Sequence, residues 1–264
     1  EGTRSYTHKM KRFHKGAFYL AHQFKLDIVP VIIHGNSEIL PKGNFVIKRG
    51  HLSVKILKRI PFENKAFGTT DRNRTKNIST HFKSEFKKFR NQNENASYFH
   101  NMVLEEFRYK GHDRYQSIKA DLNSHQDTYK VILDTVDDNE QITHISNAYG
   151  QLDFLLAVHG PSRTITSFIE NSVSRQLVKN SFIANNHYKI YVVDSLHQAI
   201  ENLTTTIIIN AVTLTHTELE TLSLKNASRI VLLLESTTFD IAVFEKQNYL
   251  ISHQTPKLII LTKH

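Results

Sequence analysis

The chain opens on Glu1-Gly2-Thr3-Arg4-Ser5, which gathers a glycine, a guanidinium and two hydroxyls into five positions. Glycine lets a backbone approach a ligand closely. An arginine fork grips a phosphate through two parallel N–H bonds, and the Thr and Ser hydroxyls add donors around the same anion. The combination suits a phosphomonoester. A second set of candidates stands farther along, each just after a β-rich run: Gly150 follows ITHIS, Glu170 closes TITSFIE and Asp194 closes KIYVVD. A carboxylate at the end of a buried strand can accept ribose hydroxyls; it can equally serve as a turn residue or a helix cap. The sixteen histidines hold no His-Glu-x-x-His string and no pair four apart beside an acidic third ligand, so their spacing points to no metal. No Gly-x-Ser-x-Gly elbow supplies serine-hydrolase chemistry.

The elements that must position these residues are legible from periodicity. Phe13, Ala17, Leu20, Ala21 and Phe24 recur at three- and four-residue intervals and predict a short core-facing helix. DIVPVIIHG is a β-branched run ending in a turn glycine. NFVIKRGHLSVKILKRI reads as two strands about Gly50, with Leu52, Val54, Ile56 and Ile60 as the apolar face. The polar stretch over 64–80 marks a domain boundary. After it, Phe82, Phe86 and Phe89, then Phe99, Met102, Val103 and Phe107, predict two linker helices interrupted near NQNENAS. From residue 142 onward six β-rich runs, ITHIS, TITSFI, KIYVV, TTIIINAV, RIVLLL and KLIILT, alternate with helix-length segments. The expected fold class is α/β: part of an α/β domain over 1–65, a polar and helical linker over 66–112, and a Rossmann-like, mostly parallel sheet with helices on both faces over 113–264.

Charge is divided unevenly over this plan. Residues 1–90 carry 20 Lys and Arg against 6 Asp and Glu, whereas 91–264 carry 14 against 19, so a net charge of +9 hides a front third at +14 and a remainder at −5. A polycationic front implies an anionic partner: a phosphorylated small molecule, a lipid headgroup or a nucleic acid. The absence of cysteine excludes disulfides and thiolate metal sites. The longest apolar runs, such as VPVII and IVLLL, fall far short of the roughly 20 residues that a membrane-spanning helix needs.

EGTRS, RFHKGAF and IVPVIIHG, in that order, resemble the glycerolipid (lysophosphatidate, 1-acylglycerol-3-phosphate) acyltransferases. Glu1 to Ser5 match the third motif of that family from its glutamate onward. Phe13, Gly16 and Ala17 match the phenylalanine and Gly-Ala that follow it, and Val29-Pro30-Val31 matches the fourth motif. The resemblance covers residues 1–60. It implies that Arg4, with Thr3 and Ser5, holds the phosphate of a lysophospholipid or glycerol phosphate acceptor, while Glu1 and Gly2 shape the pocket. It also implies acyl-CoA or acyl carrier protein as donor, no cofactor for acyl transfer, and an anionic membrane surface as partner. The family's general base belongs to a His-x4-Asp motif that precedes the third motif. His22 and Asp27 have that spacing but follow the third motif, so no catalytic residue is assigned. The chain is expected to be a C-terminal piece of such a domain, silent in acyl transfer as it stands, with the N-terminal remainder of its parent protein as a partner.

The later β/α alternation resembles a degenerate class I S-adenosylmethionine-dependent methyltransferase. Aligned on Tyr149-Gly150, His144 stands where that family has an acid, Ser146 and Ala148 replace two glycines, and Gly150 remains. Glu170 matches the ribose-binding carboxylate and Asp194 an acid near the adenine. The resemblance implies S-adenosylmethionine as cofactor, opposed by the Cβ atoms now present where backbone and cofactor meet closely. The whole order resembles the tail of Bacteroidetes-type exporter/acyltransferase/methyltransferase fusion proteins, which implies the cytoplasmic face of a bacterial inner membrane.

Three functions follow: an acyltransferase fragment of phospholipid biosynthesis, a methyltransferase acting through 113–264, or a basic nucleic-acid-binding module in which Phe13, Phe18 and Tyr19 stack on bases. Ordered motifs explain more than charge does, so the first is the expected identity and no nucleic-acid partner is expected.

Overall fold

One long helix organises the front of the chain. The computed structural model describes residues 10, 13–40, 42, 47–94, 96–185, 188–201, 204–210, 212, 214–223, 227–234 and 239–264. The chain divides into two units, Glu1–Glu105 and Glu106–His264.

The first unit runs α1 (Lys15–Gln23), β1 (Val31–His34), α2 (Asn36–Ile39), β2 (Ser53–Ile56), α3 (Asp71–Asn93) and α4 (Ala96–Phe107), the last crossing the division. Helix α3 begins at Asp71, inside the polar 64–80 stretch, where Thr70 Oγ1 accepts the Asn73 amide at 3.3 Å as an N-cap. Strands β1 and β2 are antiparallel, with Val31 opposite Ile56 and Ile33 opposite Val54. Strand alternation sends Ile32 and His34 inward, both buried, and α3 packs on β1.

Two sequence expectations are corrected here. The apolar face of β2 is outward, with Leu52, Val54 and Ile56 exposed, whereas Ile60 beyond the strand is buried. Ser53 and Lys55 point to the covered side instead, because α3 offers them partners. Ser53 Oγ donates to Asn93 Oδ1 at 3.3 Å, and Lys55 Nζ lies 3.5 Å from Glu85 Oε2. Helix α1 forms, but none of its residues is buried, and Leu20 and Phe24 are exposed. Its half-buried stripe is Phe18, Ala21 and His22, with the Phe13 ring 6.0 Å from Phe18 and 5.1 Å from Phe82. Periodicity sets the helix; the neighbour chooses the stripe.

The second unit continues through α5 (His112–Ser124), α6 (Gln126–Thr135), β3 (Gln141–Ser146), α7 (Gln151–His159), β4 (Thr164–Ile169), α8 (Ser172–Lys179), β5 (Lys189–Val193), α9 (Leu196–Glu201) and β6 (Thr206–Asn210). It ends with α10 (His216–Ser223), β7 (Arg229–Leu233), α11 (Ala242–Glu245), β8 (Tyr249–Thr255) and β9 (Leu258–Lys263). The sheet order is β5-β4-β3-β6-β7-β9-β8. Strands β3 to β7 are parallel, and β9 and β8 close the edge as an antiparallel hairpin. The chain winds outward from β3 through β4 to β5, then restarts beside β3 with β6, which makes β3/β6 the topological switch point of a Rossmann-like sheet.

All six β-rich runs are strands. The seventh, YLISHQT, carries no alternation: it is an edge strand with Leu250 and Ile251 exposed and a register shift between Ile251 and His253. One sheet face packs Ile145, Ile207, Ile209, Ile230 and Leu232 against α10 and α11 through Leu219, Leu222, Val243 and Phe244. The other face meets α7. Arg163, 2% exposed, donates to the carbonyls of Leu133, Val136, Asp137 and Leu156, tying the ends of α6 and α7. Burial pulls its guanidinium below the ordinary arginine pKa, against the upward pull of Asp138, Glu140 and Asp137.

Candidate functional site

The motif residues of the first unit separate into described and undescribed ones. Glu1, Gly2, Thr3, Arg4 and Ser5 lie outside the described residues. Phe13 packs on Phe82, Pro30 is buried, and a side chain added at Gly16 would meet nothing within 4 Å. His22 and Asp27 have separate partners. His22 Nδ1 pairs with Asp71 Oδ1 at 2.5 Å, whereas Asp27 accepts the Phe62 amide at 2.9 Å and lies 3.6 Å from Arg59. At the end of β1, buried His34 reaches Glu94 at 2.9 Å, and Arg90 grips the same carboxylate at 2.6 and 2.7 Å. That network fastens β1 to the last turn of α3.

In the second unit the candidates Gly150, Glu170 and Asp194 follow the carboxyl ends of β3, β4 and β5, neighbouring strands of the parallel sheet. Strand β3 ends at Ser146, whose carbonyl accepts the Glu170 amide from the end of β4 at 2.8 Å. The next amide, Asn147, donates to the carbonyl of Asn210 at the end of β6 at 3.2 Å. The turn then reaches Gly150, which caps α7 at φ +83°. A Cβ there would run into Val178 Cγ2 of α8, so the glycine is required by the chain's own packing as well as by its left-handed backbone.

Beneath this turn lies a polar knot with no exposure. His144 Nδ1 is 2.8 Å from Asp153 Oδ1, and Ser167 Oγ donates to Asp153 Oδ2 at 3.0 Å; all three residues are 0% exposed. His144, which stands on β3 where the methyltransferase resemblance expects an acid, is thus met by a carboxylate from α7. The sequence carried one signal for it, a lone carboxylate in the apolar run QLDFLLAV. Above the knot, Ser146 Oγ and Asn210 Oδ1 are buried with no hydrogen-bond partner, as are His144 Nε2 and Thr143 Oγ1. Ser146 and Asn210 are register partners across the switch point. Buried polar atoms left unsatisfied at a crevice are a ligand's natural partners.

The two carboxylates differ in availability. Glu170 is exposed, and its side chain makes no hydrogen bond or ion pair among the described residues. Asp194, 67% exposed, accepts Lys179 Nζ at 2.7 Å and lies 3.7 Å from Arg175. The Lys179 hydrogen bond holds its carboxyl below the usual aspartate range. Arg175 ties both strand ends together, donating to the carbonyls of Ile169, Glu170 and Asp194. On the other side of the turn, Gln151 Oε1 accepts the Tyr149 amide at 3.0 Å while its Nε2 donates to Asp121 at 2.8 Å. Asp121 also accepts the Tyr129 hydroxyl at 2.8 Å and meets His125 at 3.0 Å, so α5 and α6 brace the turn. Sequence reasoning had singled out none of Asp153, Gln151, Asp121 and Asn210. Among the described residues no group of three or more His, Asp or Glu could hold a metal ion, and no helix is long and apolar enough to cross a membrane.

The strand order and its switch point define a Rossmann-like α/β domain, which follows a smaller basic α/β unit along the chain. No protein-family model matches the chain. A stretch of 66 residues is 48% identical to the 1-acyl-sn-glycerol-3-phosphate acyltransferase of Saccharomyces cerevisiae, covering 24% of this chain and 22% of that protein. The chain thus spans about a fifth of the length of this relative. Among solved structures, it is similar to the precorrin-6y C5,15-methyltransferase of Geobacter metallireducens, at 15% identity and TM-score 0.41 over 53% of this chain and 89% of that one. It is also similar to the magnesium protoporphyrin IX methyltransferase of Synechocystis PCC 6803 with bound SAH, at 12% identity and TM-score 0.43 over 62% and 99%.

Proposed function

We propose that the second unit is a methyltransferase-like domain that takes S-adenosylmethionine at the carboxyl edge of β3, β4 and β6. The observation that carries this reading is the pair of unsatisfied polar groups at the switch point between β3 and β6. Buried Ser146 Oγ and Asn210 Oδ1 lack partners there, and the adjoining strand end presents the unpaired carboxylate of Glu170. Glu170 would accept the ribose hydroxyls, Gly150 would keep the β3–α7 turn low, and Asp194 would lie near the adenine, although Lys179 already holds it. S-adenosylmethionine would bring an activated methyl group, and this chain's residues would bind and orient it.

The test is thermal unfolding of the 264-residue chain with S-adenosylmethionine or S-adenosylhomocysteine. A native-state ligand at about 100 times its Kd stabilises by about 2.7 kcal/mol. A raised Tm is expected, and an unchanged Tm at ~1 mM of either compound overturns the reading.

A second reading has its own support in the 48% identity to the yeast acyltransferase. In that reading the front unit contributes to acyl transfer from a thioester to 1-acylglycerol-3-phosphate in phospholipid biosynthesis at a membrane surface. Arg4, Thr3 and Ser5 bind the acceptor phosphate, Glu1 and Gly2 shape the pocket, and the general base is supplied from outside these residues. In an active acyltransferase carrying this segment, Arg4→Ala is expected to raise KM for the phosphorylated acceptor by the loss of about 1.5–3 kcal/mol of charge-assisted binding. An unchanged KM rejects the pocket. Placement in a bacterial exporter fusion is tested by the coding sequence on either side of this segment.

A further inference from the structure

We infer that Arg114 is the residue that selects the carboxylate of the amino-acid tail on an adenosyl ligand; this rests on the cofactor reading above. Arg114 stands in the first turn of α5. Its guanidinium lies over the ring of Tyr149, 5.7 Å from the centroid, and Tyr149 belongs to the turn that joins β3 to α7. One nitrogen donates to the Lys110 carbonyl at 2.5 Å. The Nε–H is buried with no acceptor, and no carboxylate among the described residues pairs with this side chain.

A partly buried guanidinium with a desolvated, unused N–H is short of an anion, because leaving such a donor unmet costs more than exposing it. Arg175, at the same edge, is supplied by three carbonyls. The turn under Arg114 begins two residues before Tyr149, at Asn147, and its preceding residue Ser146 is tied to Glu170. An unpaired carboxylate and an anion-deficient guanidinium therefore flank one turn.

An adenosyl ligand with an amino-acid tail is complementary to that pair, with ribose hydroxyls for Glu170 and one carboxylate for Arg114. The Tyr149 amide in the turn is already occupied by Gln151 Oε1. The tail's carboxylate thus depends on Arg114 rather than on the altered glycine loop.

The experiment measures, by calorimetric titration of the 264-residue chain, binding of S-adenosylhomocysteine and of 5′-methylthioadenosine, which keeps the adenosyl group but lacks the amino-acid tail. The native chain is expected to bind S-adenosylhomocysteine about tenfold more tightly, the gain from one charge-assisted contact. Arg114→Gln is expected to erase that preference while leaving 5′-methylthioadenosine affinity unchanged, which also reports that the variant is folded. Arg114→Lys is expected to restore part of it. Equal affinities in the native chain, or an equal loss for both ligands in Arg114→Gln, overturn the role of Arg114 and leave the cofactor reading standing. Failure of both ligands to bind the native chain overturns the cofactor reading and this role with it.

Discussion

Asp153→Ala is the most informative perturbation of the second unit. Asp153 is 0% exposed and holds two partners that are equally buried, His144 at 2.8 Å and Ser167 at 3.0 Å. Removing it withdraws two buried hydrogen bonds and strands an imidazole and a hydroxyl away from water. Two buried polar groups left unmet at about 1–3 kcal/mol each put the loss at about 3–5 kcal/mol. In a domain of this size each kcal/mol moves Tm by about 2–4 °C, so a drop of about 6–20 °C is expected. Near-ultraviolet circular dichroism on heating and urea unfolding provide the readout. The companion variant replaces the whole knot with apolar residues, His144→Phe, Asp153→Leu and Ser167→Ala. Because no polar group is then left stranded, it is expected to recover stability to within about 1 kcal/mol of the native chain. A loss below about 1 kcal/mol for Asp153→Ala, or a triple variant as unstable as the single one, would refute the view that mutual satisfaction holds these groups in the core.

Two further outcomes follow from the same edge of the sheet. Gly150→Ala is expected to destabilise by more than about 1 kcal/mol in urea unfolding without any ligand present, because φ is +83° and the new methyl meets Val178; a neutral effect would mean the glycine serves only a ligand. Asp194 is expected to titrate, by carbon-detected NMR, below the ordinary aspartate value, and Lys179→Met to bring it back up. Its folded pKa is depressed, so its contribution to stability is present above the unfolded value and is lost as pH falls through the lower folded value.

Much of the fold was legible in the sequence. ITHIS, TITSFI, KIYVV, TTIIINAV, RIVLLL and KLIILT are dense in β-branched and aliphatic residues because parallel strands are buried on both faces. All six became strands. YLISHQT escaped notice because an edge strand has no buried row to impose alternation. Leu52, Val54 and Ile56 were recognised as one face, but alternation is symmetrical with respect to inside and outside. Only the polar side chains of α3 and its C-cap, Glu85, Asn93 and Glu94, show that Ser53, Lys55 and His34 are the covered row.

The candidate site divides along the same line. Gly150, Glu170 and Asp194 could be named as candidates because strand ends and turns leave local marks in the chain. Asp153, Gln151, Asp121, Asn210 and Arg114 were not, since their roles depend on partners that the tertiary fold brings to one turn from α5, α7 and β6.

The sequence by itself determined the buried parallel strands of this protein, the helices α1, α3 and α4 and its cationic front, because periodicity and charge are properties of neighbours along the chain. The tertiary structure alone decided which carboxylate is free, which is taken by a lysine, and which arginine is left without an anion. Hydrogen bonds and desolvation are settled between residues far apart in sequence, and no local pattern records them.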